Sequence, residues 1–553
     1  VSGLAFLNGP ADRRYYLYGY NSDEVDLGGV SWQDPDPSDG RITQIQTSNR
    51  LVREPEMVSL PCRVKGAVFF RPNSQDPLSA VQGLRKRLIH ERPPIHPPTF
   101  RRYKEFVKDH LAAEYVPLRP DQIPTFEEWL EGVNHPLWRK QEYREAWRQW
   151  CDGEISPSTL HKKKCFVKRE FYPEPKFHRA IHSPTDYEKV IEGPFAKAME
   201  DEVFKRPEYI KKIPRSEWPV YVRDMVGRFG LRVFGSDYSS FEANFVPPVM
   251  RATEFMLVKF MLSILLHLQG PKNILSDDQI KILAAKMYMA YVRGKRSSGK
   301  MTTSLFNGFS NPMFVRFVLK ELGATIIHCV VEGDDGLYAH NAPRDPTPAD
   351  FLKLGLTIKI VPVEHWYEAS FCGVVTHPDV LDTLCDPWRV VLTCSWAGHD
   401  YLRARDRTMT NLAQIKGLSY IAQYPGAPVV QAVGLWMLRV TNFDPAKLED
   451  LLAWYSEQRG TTYWEQQVVR DIRKSSLAAR PVHPGSRMIV ARVFGVPVDV
   501  QLHLEAIFET NQSEVELDAE TVPRQYAEFW DGYVRQASRL DQDLRMPYAL
   551  PPP

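Results

Sequence analysis

Two adjacent carboxylates punctuate the segment Val330–Tyr338, VVEGDDGLY. Apolar residues flank Gly333-Asp334-Asp335-Gly336, and glycines on both sides permit the positive φ that a tight hairpin turn demands. Such a turn carries two negative charges on one rigid tip, which is costly unless a cation offsets their repulsion. Hard cations such as Mg2+ take oxygen ligands, so a paired-Asp tip is suited to one. Taken alone, the same four residues fit an ordinary solvated turn equally well.

A second carboxylate site lies about a hundred residues upstream, in LRVFGSDYSSFEANF, Leu231–Phe245. Asp237 ends an apolar run of strand length, and Glu242 follows in the pattern D-x-x-x-x-E. An Asp at a strand end beside a paired-Asp hairpin would complete a two-metal centre for phosphoryl chemistry. The competing reading of Asp237 is a helix N-cap, with Ser239 and Ser240 following and Glu242 closing a capping box. Between the two acidic sites lies Ser298-Gly299-Lys300-Met301-Thr302-Thr303-Ser304-Leu305-Phe306-Asn307. Small hydroxylated residues after a glycine, leading into an apolar helix, fit a loop that closely approaches a ligand, and Asn307 could read a ribose hydroxyl. A plain helix cap fits that segment too. The order D-x4-E, then SG-x3-T-x3-N, then GDD gives the three together a weight that none has alone.

The elements that must position these groups are legible as periodicity. Cys165–Lys168, Leu231–Ser236, Thr325–Val331 and Leu337–Ala339 read as strands, the last two around the acidic turn. Phe255–Leu268 and Asp277–Val292 read as helices, and Glu127–Cys151 places tryptophans at helical spacing, for which core packing is the default. Strands and helices alternate without a strict βαβ repeat, so the expected class is α+β and not a doubly wound sheet. His90–Thr99, HERPPIHPPT, reads as a Pro-rich connector, and DPDPSDG at 34–40 as a loop. Beyond about residue 400 the pattern is mostly helical, with proline breaks at 425, 428, 445, 481 and 484.

Composition excludes several classes. Hydrophobic residues make up 43% of the 553 and charged residues 25%, so wholesale disorder is excluded. The seven cysteines form no CxxC pair, which argues against a structural zinc site and fits reduced thiols in the cytosol. The longest apolar run, Phe255–Leu268, is interrupted by Lys259 and is shorter than a membrane span. There is no signal peptide, and a first residue of Val fits a processed product or a piece of a longer protein. A net charge of +2 argues against nucleic-acid binding only if it is evenly spread. It is not: residues 61–110 carry eleven Lys/Arg against four acids and residues 161–182 seven against two, while 1–60 and 503–545 are net −4 and −6. The two basic stretches could face phosphates.

With these motifs in order, the sequence resembles a viral RNA-dependent RNA polymerase, and more finely the tombusvirus- and nodavirus-like positive-strand RNA viruses. Asp237–Glu242 resembles palm motif A, Ser298–Asn307 motif B and Gly333–Asp335 motif C. Phe166-Val167-Lys168-Arg169-Glu170 and Lys176-Phe177-His178-Arg179-Ala180-Ile181 resemble the two ends of motif F, Leu354–Lys359 motif D, and Ala369–Gly373 motif E. The likeness runs from about Phe166 to Gly373.

That resemblance implies an α+β right-hand polymerase with an RRM-like antiparallel palm sheet and a mostly helical thumb. Its implied division is an N-terminal extension 1–60 bridging fingers and thumb, fingers 61–230 with motif F at 162–181, palm 231–375 with a finger insertion around 265–295, and thumb plus tail 376–553. It further implies Mg2+, with Mn2+ as a substitute, on Asp237, Asp334 and Asp335, and Lys359 as the acid that protonates pyrophosphate. Lys168 and Arg179 would meet the NTP phosphates, and Glu242, Ser298, Gly299, Thr303 and Asn307 its ribose. Lys176, Gly333, Phe371, Cys372 and Gly373 would contact RNA. Implied partners are RNA template and product, NTPs and other viral replication proteins. The implied location is the host cytoplasm, with any membrane anchor on another protein. Glu242 stands where the family usually has Asp, and Lys300, Thr302 and Phe306 also depart from the usual motif B. A reverse transcriptase would share the palm, but it usually carries an aromatic where Glu332 stands, and a bulky sugar gate. A decayed, RNA-binding palm would be expected to lose an acidic ligand first, and all three are present.

Overall fold

The computed structural model describes residues 25–26, 30–33, 44–47, 57–65, 93–155, 163–168, 179–238, 240–264, 301–398, 401–459 and 463–517. Within the N-terminal part lie β1 (Val25–Asp26), β2 (Val30–Gln33), β3 (Gln44–Thr47), β4 (Met57–Ser59) and β5 (Val64–Lys65). The expected loop at 34–40 and the finger insertion at 265–295, with its helix at 277–292, lie outside the described residues.

Helices α1 (Pro97–Glu114), α2 (Phe126–Gly132) and α3 (Leu137–Cys151) follow. The Pro-rich stretch expected as a connector is partly helix, because Pro97 and Pro98 occupy the first turn of α1. Proline is well suited there: the amides it lacks have no intrahelical acceptor in a first turn. The tryptophans of 127–151 divide. Trp129 is buried beside Phe126, whose ring stacks on Trp147 at 4.8 Å, whereas Trp138 is 61% exposed.

A hairpin of β6 (Lys163–Val167) and β7 (Ala180–Pro184) leads into α4 (Asp186–Val203) and α5 (Trp218–Val226). Next come β8 (Arg232–Tyr238), α6 (Pro247–Ala252), α7 (Glu254–Met261), α8 (Thr303–Glu321), β9 (Ile327–Glu332), β10 (Asp335–His340), α9 (Pro348–Leu352) and β11 (Ile358–Val363). The helix expected from Phe255 starts one residue earlier, at a break where Thr253 leaves helical geometry (φ −121°, ψ −80°), and α7 ends at Met261.

Strands β8 to β11 form a four-stranded antiparallel sheet in the order β11-β8-β10-β9. Because successive side chains point to opposite faces, Phe234, Ser236 and Tyr238 face one way and Val233, Gly235 and Asp237 the other. Phe234, Tyr238, Cys329, Val331 and Tyr338 join a core with Tyr103 and Val107 of α1 and Phe309, Met313 and Phe314 of α8. Val233, Val330, Leu337 and Ala339 join a second core with Trp218 and Val222 of α5 and with Phe371. The sheet is therefore covered on both faces, which fixes its register strongly: a slip of one residue would exchange the two cores.

The remainder is β12 (Val374–Thr376), β13 (Thr383–Cys385), α10 (Pro387–Thr393), β14 (Trp396–Gly398), α11 (Asp406–Gln423), α12 (Val430–Val440), α13 (Leu448–Arg459), α14 (Tyr463–Lys474), α15 (Pro484–Phe494), α16 (Val498–Thr510) and β15 (Val515–Glu516). The proline signals hold: α11 stops before Pro425, and Pro484 opens α15. The N-terminal strands dock here. β4 pairs antiparallel with β14 and β5 parallel with β15, and Leu60 N–H donates to the Ser395 carbonyl at 2.7 Å. Among the described residues, no helix is long and apolar enough to cross a membrane.

Candidate active site

The register of the sheet places four ionisable side chains in one row on one face. Lys359 of β11 is the cross-strand partner of Asp237 in β8. Gly336 pairs with Ser236 across β10 and β8, so the next step brings Asp335 level with Asp237. Asp335 in turn pairs with Glu332 of β9. Lys359, Asp237, Asp335 and Glu332 thus run edge to edge across the sheet, and directly opposed Cβ atoms in such a row are about 5 Å apart. Asp237 and Lys359 are exposed. Asp237 is no helix cap: it lies within β8, and the short 3-10 turn that follows, Phe241–Asn244, begins after Ser240.

Asp334 stands beyond the row, at the hairpin tip. The turn has two residues, Gly333 and Asp334, between paired Glu332 and Asp335. Gly333 adopts φ +61°, the left-handed region in which a side chain would be strained. Gly336 is not part of the turn. It lies in β10, where a Cβ would come 2.5 Å from Cε2 of Tyr338 and 2.9 Å from Oγ of Ser236, so it is required by close packing.

The electrostatics of the row follow from crowding. Burial, with the Asp334 and Asp237 carboxylates beside it, pushes the Asp335 carboxyl up to about 7. Burial likewise raises Glu332, aided by Glu200 and Asp334 and opposed by the Lys211 ammonium. Clustered acids of this kind favour a proton or a cation. Among the described residues no group of three or more His, Cys, Asp or Glu is placed to hold a metal ion by itself. Mg2+ usually needs none, since it is held by one or two carboxylates, waters and substrate phosphates. Asp237 and Asp335 in the row and Asp334 beside it are the carboxylates that would serve an open site of that kind.

Helix α8 carries the motif B residues. Thr303 is its first residue, and its buried hydroxyl has no hydrogen-bond partner among the described residues. An unmade hydrogen bond of that kind costs about 1–3 kcal/mol unless a ligand satisfies it. Asn307 stands one turn on, partly exposed, and Glu242 lies in the 3-10 turn after β8. Lys168 and Arg179 meet at the base of the β6–β7 hairpin, where Lys168 N–H donates to the Arg179 carbonyl at 2.7 Å. Ser298, Gly299 and Lys176 lie outside the described residues.

Two motif E residues are placed differently from expectation. Phe371, expected to touch RNA, is 3% exposed and packs its ring on Trp218 at 5.7 Å, because an aromatic residue under the sheet gains more from the second core. Burial, then the Asp335 and Glu332 carboxylates, push the Cys372 thiol well above its ordinary value. Cys372 and Gly373 both have positive φ, a tight bend that turns the thiol toward the row.

Sequence reasoning missed Asn311 and did not place Glu332 in the site. Asn311, fully buried on α8, donates through Nδ2 to the carbonyls of Gly333 at 3.3 Å and Asp334 at 3.0 Å, and its Oδ1 accepts from the Tyr338 hydroxyl at 3.0 Å. The available signal was a second asparagine one helical turn after Asn307.

Residues 187–364 match the family model described as viral RNA-dependent RNA polymerase. The matched segment runs from α4 through β11 and contains Asp237, Glu242, Thr303, Asn307, Asp334, Asp335 and Lys359; Lys168, Arg179 and Phe371–Gly373 fall outside it. The comparison with curated proteins finds no match. Over that segment, about a third of the chain, it is similar to the viral RNA-dependent RNA polymerases, and the match indicates an RNA-directed RNA polymerase, a nucleotidyltransferase.

Proposed function

We propose that this chain replicates a viral RNA genome, joining NTPs to an RNA 3′-hydroxyl at the Asp237–Asp334–Asp335 centre. The observation that carries the reading is the row itself: two exposed charged residues of opposite sign, Lys359 and Asp237, beside Asp335, with Asp334 next to it in the two-residue turn. Bound Mg2+, or Mn2+ in its place, would supply charge neutralisation and activate the attacking hydroxyl. Asp237 and Asp334 would hold it and Asp335 would assist.

The chain's own residues supply the rest. Thr303, Asn307 and Glu242 would read the ribose, with the partnerless Thr303 hydroxyl as a ready donor. Lys359 would give its proton to the departing pyrophosphate, a step for which its place beside Asp237 is suitable. Lys168 and Arg179, with Lys176, would neutralise triphosphate charge, Arg through its planar fork. In this reading the four-stranded sheet is an RRM-like palm, residues up to about 230 contribute the fingers, and the helices after 376 form the thumb. The docking of β4 and β5 on β14 and β15 supports an N-terminal segment that bridges to that thumb. RNA would be held mainly through its backbone, so binding should weaken steeply with salt. The working location is the host cytoplasm, alongside other replication proteins that supply any membrane anchor.

The test is extension of a defined RNA template, primed and unprimed, with NTPs or dNTPs, in Mg2+, Mn2+ or EDTA. Metal-dependent incorporation of NTPs in preference to dNTPs is the expected result. Undiminished synthesis by an Asp334→Ala/Asp335→Ala double variant would sink the assignment.

A further inference from the structure

We infer that Asn311 is a positioning residue that aims the Asp334 carboxylate, and that it does so from the helix that reads the nucleotide. The inference rests on the proposed role of Asp334 as a metal ligand. In a two-residue hairpin the carbonyls of the two turn residues have no partner in the strand ladder. Here both are taken by one side chain, Nδ2 of Asn311, at 3.3 and 3.0 Å. The Gly333 carbonyl belongs to the peptide plane before the Asp334 Cα, and the Asp334 carbonyl to the plane after it. Each peptide is rigid and planar, so fixing both planes fixes φ and ψ of Asp334 and hence the direction of its Cα–Cβ bond.

The amide orientation is set by chemistry. Carbonyls only accept, so the NH2 must face them, and Oδ1 is left to accept from the Tyr338 hydroxyl at 3.0 Å. Tyr338 is itself immobile: its ring stacks on Phe234 at 5.3 Å and passes over Gly336, where any Cβ would collide with it. The brace is therefore anchored in the core at one end and holds the catalytic turn at the other. Asn311 also lies one helical turn beyond Asn307 and two beyond Thr303 on α8, so one rigid element carries both the ribose-facing residues and the grip on the turn.

Partners that orient a metal ligand typically cost about 10–100-fold in metal affinity or activity when removed. The test is Asn311→Leu, which keeps the shape and removes both donors, with Tyr338→Phe, which keeps the donors and frees Oδ1. Mn2+ binding is measured by electron paramagnetic resonance without nucleotide, beside the Mg2+ dependence of RNA synthesis. Asn311→Leu should weaken Mn2+ binding by about 10-fold or more and raise the Mg2+ needed for half-maximal rate, with NTP KM little changed. Tyr338→Phe should shift both in the same direction by less. Wild-type Mn2+ affinity and Mg2+ dependence in a folded Asn311→Leu protein overturn the inference. If Asn311→Leu does not fold, unchanged values in Tyr338→Phe overturn it instead. Wild-type protein that binds Mn2+ but makes no RNA would refute the replication reading and leave the brace standing.

Discussion

Replacing Asp335 by Asn should make the metal-free protein more stable while removing its activity. The carboxyl of Asp335 is pushed from its ordinary 3.8 up to about 7, first by burial and then by Asp334 and Asp237. A raised carboxyl favours the protonated form in the folded chain. Its stabilising contribution is therefore complete below about pH 4 and is lost as the pH climbs through about 7. At about 1.4 kcal/mol per pKa unit, the loss reaches about 4 kcal/mol at pH 8 and about 1.5 kcal/mol at pH 5. Asn is the neutral isostere and does not titrate. In EDTA, urea or thermal unfolding should show Asp335→Asn more stable than wild type, by more at pH 8 than at pH 5. Added Mg2+ should narrow the gap at pH 8 by stabilising the wild type more than the variant, and RNA synthesis by the variant should be abolished or nearly so. A variant less stable than wild type at pH 8, or a difference that does not change with pH, would refute the reasoning.

Further outcomes follow from other contacts. Gly336→Ala should destabilise by about 1–3 kcal/mol in denaturant titration, because its Cβ has no room beside Tyr338 and Ser236. Glu208→Ala should cost about 3–5 kcal/mol, since it leaves the Arg316 guanidinium, now 3.1 Å from the Glu208 carboxylate, without its partner between α8 and β9. Lys359→Leu should slow single-turnover incorporation about 100-fold or more with little change in template binding; an unaltered rate would remove Lys359 from the chemistry.

Much of the site was readable because its signals are local. Gly333 at a turn, alternating apolar residues on both sides and an Asp closing an apolar run each act over a few residues, and the strands around them formed where their periodicity placed them. Asn311 and the docking of residues 57–65 were not readable, because each depends on partners more than twenty or more than three hundred residues away. Cys372 was read as an RNA contact, and its nearness to Asp335 and Glu332 depends on how a bend after β11 meets the sheet. Phe371 shows the same limit: its identity suits an RNA contact or a core, and only the packing of α5 beneath the sheet decides for the core.

The amino-acid sequence by itself determined which carboxylates this polymerase offers and the short elements that carry them, because turn and strand preferences are properties of neighbouring residues. Tertiary structure alone decided that Lys359, Asp237, Asp335 and Glu332 share one row and that Asn311 grips the turn. Strand register is set by two cores packing on opposite faces of the sheet, and no local pattern specifies which residue of one strand lies level with which residue of the next.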